Sequence, residues 1–158
     1  MLTTLIANLQ ANGLQIGAAA PAVEVTDDEG STVNLGELLS EGKTVVFFYP
    51  MADTPGCTKQ ACSLRDGWGV LQQRGISVIG VSSDKVKAQN QFRKKYSLPY
   101  RLIADVDQSV AKAFGKSRWS RQAYLFIDGK LAWRDLSAST GRQYSDVIAA
   151  LDAIESEE

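Results

Sequence analysis

The two most apolar stretches of the chain are short and unbroken: Thr44 to Tyr49 (TVVFFY) and Ser77 to Ser82 (SVIGVS). Runs of this length, β-branched and aromatic and without polar alternation, predict strands covered on both faces by helices. Pro50 ends the first, because it has no N–H to give to a ladder. Between them the period changes: Leu64, Trp68 and Leu71 recur at helical spacing, which predicts one helix from about Cys57 to Gln73, closed by Gly75. Further helices are expected from Leu2 to Leu9, over one or two turns from Leu35 to Leu39, from a cap at Asp84 to near Tyr96, and from Ser109 to Phe114. A last one runs from Tyr144 to Ile154, with Val147, Ile148, Leu151 and Ile154 on one side. Short alternating segments, Val23 to Thr26 and Thr32 to Asn34, flank the polar turn Asp27 to Gly30 and predict a hairpin. Arg101 to Ala104 is a short strand. Ala123 to Ile127 and Lys130 to Trp133 flank Asp128-Gly129, a strong two-residue hairpin signal.

Strands alternating with helices imply right-handed βαβ crossovers, and the closing hairpin adds antiparallel strands. The expected fold is α/β and thioredoxin-like: a mixed central sheet with helices on both faces. A length of 158 residues fits one domain, with residues 1–13 as a helical N-terminal extension.

Composition narrows the chemistry. Apolar residues make up 44% of the chain, enough for a core. Lysine plus arginine number 17 and aspartate plus glutamate 18, a formal net charge of −1. With no basic run, neither nucleic acid nor a membrane surface is an expected partner. No stretch reaches the length of a membrane span. Met1 to Gly13 has neither a positive charge nor a long apolar centre, so it does not read as a signal peptide, and a cytoplasmic location is expected. There thiols are kept reduced, and a cysteine pair points to catalysis or metal rather than to a structural staple. The chain contains no histidine. That excludes a serine or cysteine nucleophile activated by histidine, histidine-ligated haem, and any zinc site needing imidazole. Two cysteines alone cannot fill a four-thiolate site, so neither a metal nor a cofactor is expected.

Cys57 falls where a buried strand has ended and a helix begins. The first turn of a helix has free N–H groups and the positive end of its dipole, which stabilise a thiolate. Thr54, three residues earlier, can place a hydroxyl beside the sulfur. Pro55-Gly56 lets backbone approach a small ligand and shields the thiolate from water. Such a site suits a small electrophile. The spacing of Cys57 and Cys62 adds a constraint. On an intact helix their Cα atoms lie about 8.7 Å apart, beyond the roughly 7 Å limit for a disulfide. The pair can bond only if the first turns of the helix unwind.

The segment Pro50-Met51-Ala52-Asp53-Thr54-Pro55-Gly56-Cys57 matches the Pro-x-x-x-Thr-x-x-Cys pattern of peroxiredoxins, and TPGCTKQAC, with its second cysteine five residues on, resembles their bacterioferritin comigratory protein, or Q-type, subfamily. The resemblance extends from about Leu14 to Ile154 through FFYP, GVSSDK and LIADVDQSVAKAFG. It implies a thiol-dependent peroxidase, an antioxidant oxidoreductase acting on hydrogen peroxide and small alkyl hydroperoxides. It also implies that Cys57 is oxidised to a sulfenic acid, that Cys62 resolves it as an intramolecular disulfide, and that Thr54 orients the sulfur and the peroxide. A thioredoxin or glutaredoxin-like reductant would recycle the disulfide, and the protein would act as a monomer. The family also uses an arginine just before its penultimate strand. Arg121, ahead of QAYLFID, is the best match, and Arg118 is the alternative. Pro50, Gly56 and Tyr49 would line the substrate site. Two departures stand out: Met51 where relatives often carry lysine, and Gln60 where many carry glutamate.

Plainer readings exist for each residue. A lone cysteine is usually a small buried hydrophobe, Thr54 would otherwise be a simple N-cap, and Arg121 a surface ion-pair partner. Trp68, Trp119 and Trp133 read as packing groups, and Lys94-Lys95 as a solvated helix face. Two other functions compete: a thioredoxin-type thiol–disulfide oxidoreductase, which normally uses Cys-x-x-Cys, and a redox-sensing module without turnover.

Overall fold

A computed structural model of the chain describes residues 13–117 and 119–157. The helix expected from Leu2 to Leu9, and Arg118, lie outside the described residues. The elements are β1 (Glu24–Thr26), β2 (Thr32–Asn34), α1 (Leu35–Leu38), β3 (Lys43–Phe48), α2 (Pro55–Asp66), α3 (Trp68–Gln73), β4 (Ile76–Ser82), α4 (Val86–Lys95), β5 (Arg101–Ala104), α5 (Ser109–Ala113), β6 (Gln122–Ile127), β7 (Lys130–Asp135) and α6 (Gln143–Ser156).

β3 sits at the centre of a five-stranded sheet of order β5-β4-β3-β6-β7. It pairs in parallel with β4 and antiparallel with β6, so the sheet is mixed, as expected. Its unbroken apolar character follows from this position. Val45 and Phe47, with Tyr49 just beyond the strand, point to one face and pack with Ala61 and Leu64 of α2, Leu71 of α3, and Val147 and Leu151 of α6. Val46 and Phe48 point to the other face, against Leu35 and Leu39 around α1, Val110 of α5 and Phe114. A strand with helices on both sides has no polar face to alternate with. β6 and β7 meet at Asp128 and Gly129, both at positive φ (49° and 82°), the conformation that a two-residue hairpin requires.

β1 and β2 form a separate antiparallel hairpin whose turn docks on the sheet edge. The N–H of Asp28 donates to the Leu102 carbonyl of β5, and its carboxylate accepts from the Leu102 N–H at 3.0 Å. Arg93 of α4 donates to both oxygens of that buried carboxylate at 3.1 Å.

Three expectations change. The single helix from Cys57 to Gln73 is two helices, broken at Gly67. A side chain there would collide with the Tyr144 ring of α6, which lies 2.0 Å from the position of a Cβ. Asp84 does not cap α4, whose N-cap is Lys85. The Asp84 carboxylate is drawn instead to the Ala52 N–H and the Ser82 hydroxyl. Trp119 is 56% exposed rather than a packing group, whereas Trp68 and Trp133 pack against the core.

Candidate active site

The loop between β3 and α2 is held before it reaches the helix. The Ala52 N–H donates to Asp84 at 2.8 Å, beyond the end of β4. Asp53 adopts a left-handed φ of 60°, a conformation that aspartate tolerates better than most side chains. Its carboxylate accepts from Lys95 at 2.9 and 3.1 Å and from the Tyr96 hydroxyl at 2.7 Å. Lys95 is therefore a tether for this loop, not simply part of a solvated face.

Thr54 is the N-cap of α2 by backbone, but its side chain makes no capping bond. Its hydroxyl donates to the Met51 carbonyl at 2.8 Å. With its proton so engaged, the oxygen is left as an acceptor. Pro55 follows at the first helical position, where its missing N–H costs nothing. Cys57 is then in the first turn, 1% exposed, packed in the same cluster as Tyr49 and Ala61.

Arg121 reaches this turn from the residue before β6. Its Nη2 lies 3.5 Å from Cys57 Sγ, and its Nη1 donates to Gln60 Oε1 at 2.7 Å. Gly56 makes room for the guanidinium, since a Cβ there would sit 3.0 Å from Nη2. Gln60 Nε2 donates in turn to Gln143 Oε1 at 2.7 Å, at the start of α6.

Tyr49 is buried and forms a wall rather than a donor, because its hydroxyl donates to Gln89. Burial pushes its phenol well above the ordinary range. Pro50 is half-buried between β3 and the loop. Cys62 lies about 1.4 turns beyond Cys57 in the same unbroken helix, partly buried, and both are free thiols. Burial pushes the Cys62 thiol up, against a smaller opposing pull from the Arg65 charge.

The fold thus brings Gly56, Cys57 and Arg121 together, places Thr54 at the N-cap of the same helix, and keeps Cys62 apart along it. Sequence reasoning missed Gln143, Asp84, Asp53 and Tyr96. Gln143 and Asp84 meet the site only through contacts distant in sequence. A buried thiol beside a guanidinium and a helix N-terminus is an arrangement suited to meeting a small electrophile.

Known proteins resemble this chain in sequence and in fold. Residues 16–134 match the model of the AhpC/TSA family. Peroxiredoxin Bcp of Escherichia coli (strain K12) is 38% identical over 114 residues, 72% of this chain and 71% of that one. The chloroplastic peroxiredoxin Q of Oryza sativa subsp. japonica is 41% identical over 99 residues, 63% of this chain; the match spans only 45% of the rice protein. Among solved structures, peroxidoxin BcpB from Mycobacterium tuberculosis superposes with a TM-score of 0.81 at 33% identity, covering 89% of this chain and 97% of that one. The chain belongs to the AhpC/TSA family, as a peroxiredoxin of the Bcp, or Q, type.

Proposed function

We propose that this peroxiredoxin, a thiol peroxidase by its family, works through Cys57, Thr54, Arg121 and Cys62. The Cys57 thiolate attacks the terminal oxygen of a hydroperoxide. An S–O bond forms, the O–O bond breaks, and the leaving alkoxide or hydroxide takes a proton to depart as alcohol or water. Arg121 and the N-terminus of α2 stabilise the charge that moves from sulfur to the leaving oxygen. Thr54, an acceptor, orients the peroxide through its O–H. The observation that carries the reading is the 3.5 Å approach of Arg121 Nη2 to Cys57 Sγ inside a buried first turn.

The product is a Cys57 sulfenic acid. Cys62 gives up its thiol proton and attacks the sulfenic sulfur; the S–S bond forms, the S–O bond breaks, and the departing hydroxide takes up that proton as water. Reduction by a dithiol of thioredoxin or glutaredoxin type returns both thiols. Gly56, Pro50 and Tyr49 shape the substrate site. We place the protein in the cytoplasm as a monomer, a compartment whose thiol pool supports such a cycle. Among the described residues, no helix is long and apolar enough to cross a membrane.

Stopped-flow oxidation of the reduced protein by hydrogen peroxide, followed by tryptophan fluorescence, is the test. Cys57→Ser should abolish turnover with a thiol reductant. Cys62→Ser should consume about one equivalent of peroxide and then stall, since its sulfenate has no internal partner. Normal turnover by Cys57→Ser would overturn the assignment.

A further inference from the structure

We propose that Gln143, on a different helix from the reacting cysteine, is a positioning residue for Arg121 and acts through Gln60. This rests on the peroxidase reading above. The chain of contacts is continuous: Arg121 Nη2 meets Cys57 Sγ at 3.5 Å, Arg121 Nη1 donates to Gln60 Oε1 at 2.7 Å, and Gln60 Nε2 donates to Gln143 Oε1 at 2.7 Å. Both glutamines are 0% exposed.

The direction of the chain follows from what each group can do. A guanidinium only donates, so it requires the oxygen of Gln60 to face it. The Gln60 amide nitrogen then faces α6 and requires an acceptor, which fixes the oxygen of Gln143 toward Gln60. Gln143 Nε2 is left on the far side, buried and without a hydrogen-bond partner among the described residues. An orphaned buried donor is costly. Turning the Gln143 amide over would set two NH₂ groups face to face. The fold keeps the orientation that pins Gln60, and through it the guanidinium.

The relay is also neutral. Among the described residues, the ion pairs do not include Arg121. Two amides hold the guanidinium in place without offsetting its charge, which leaves that charge directed at Cys57 Sγ. The same turn of α6 grips α2 a second time, through the Tyr144 N–H donating to Ser63 Oγ at 3.0 Å. Gln143 therefore lies on a firm support.

The test compares second-order rates of Cys57 oxidation by hydrogen peroxide in the full chain. Gln143→Met keeps the volume but loses the amide acceptor, and Gln143→Asn keeps the amide but shortens its reach. Each should slow oxidation about threefold to tenfold, the range that a single neutral hydrogen bond supplies. In an Arg121→Met background, Gln143→Met should have no further effect, because the group that it positions is gone. An unchanged rate in Gln143→Met and Gln143→Asn, or an equal loss with and without Arg121, would each overturn the proposal. If Gln143→Met does not fold, Gln143→Asn carries the same comparisons. A parent protein that does not react with peroxide would instead overturn the peroxidase reading itself.

Discussion

At the scale of single residues, the site depends on close approaches that larger side chains would spoil. Gly56 has room for a Cβ only by displacing Arg121 Nη2, 3.0 Å away. Gly56→Ala should therefore push the guanidinium off the sulfur and slow peroxide oxidation of Cys57 by about tenfold, equivalent to ~1.4 kcal/mol. Alanine is the better helix former, so the urea midpoint should hold or rise. Stopped flow and urea denaturation together check this, and an unchanged rate would show that the contact is not used.

Cys62 offers a second test at this scale. Its folded environment favours the neutral thiol, mainly through burial. A thiol whose folded value is raised stabilises the fold fully below the ordinary thiol range and loses that contribution as pH rises through the folded value. Alkaline conditions thus favour an unwound α2. In Cys57→Ser, where only Cys62 titrates as a thiol, alkylation by iodoacetamide should show a midpoint above that of a free cysteine. A midpoint at the ordinary value would mean that Cys62 is already as exposed as an unfolded thiol.

At the scale of the element, the proposed cycle requires α2 to be two things. Intact, it places Cys57 in its first turn beside Arg121, and it holds Cys62 too far along its axis to bond. The disulfide needs those turns unwound. The structure adds what unwinding would break: the Gln60 contacts to Arg121 and Gln143, the Tyr100 hydroxyl on the Ala61 carbonyl, and the Tyr144 N–H on Ser63. Hydrogen exchange should show amides from Cys57 to about Leu64 losing protection on oxidation and regaining it on reduction. Because Arg65 Nη1 also donates to the Tyr96 carbonyl, protection should recover near Asp66 in both forms. Equal protection throughout, with the Cys57–Cys62 bond verified by mass spectrometry, would rule this motion out.

At the scale of the whole molecule, stability and catalysis separate in space. Asp28 is 2% exposed and joins the β1–β2 turn to both β5 and α4, on the far side of α4 from the Asp53 tether. Asp28→Ala leaves the Leu102 N–H without its acceptor and the Arg93 guanidinium without its counter-charge, holding only the Leu98 carbonyl through Nε at 3.2 Å. It should cost about 3 kcal/mol, the low end for breaking a buried pair because Arg93 is partly exposed. The urea midpoint should fall with an unchanged slope, while the rate of Cys57 oxidation in native buffer stays close to that of the parent protein.

What the sequence determined by itself was local in origin. The buried strands Thr44 to Tyr49 and Ser77 to Ser82 announce themselves because a strand covered on both faces needs apolar residues at every position. The Asp128-Gly129 hairpin follows from the positive φ that its turn demands. Cys57 could be placed at a helix start because Pro50, Thr54 and Pro55-Gly56 act on backbone within a few residues. The break at Gly67 had no such signal, since glycine within a helical pattern is ambiguous until the Tyr144 ring from α6 is seen against it. The same holds for Asp84, whose carboxylate had a nearby helix to cap and was taken instead by the Ala52 N–H across the loop. Gln60 and Gln143, 83 residues apart, show no pattern in one dimension. Side-chain contacts at that separation depend on how sheet and helices pack, so only the tertiary structure decided which amides hold the Arg121 guanidinium beside the sulfur.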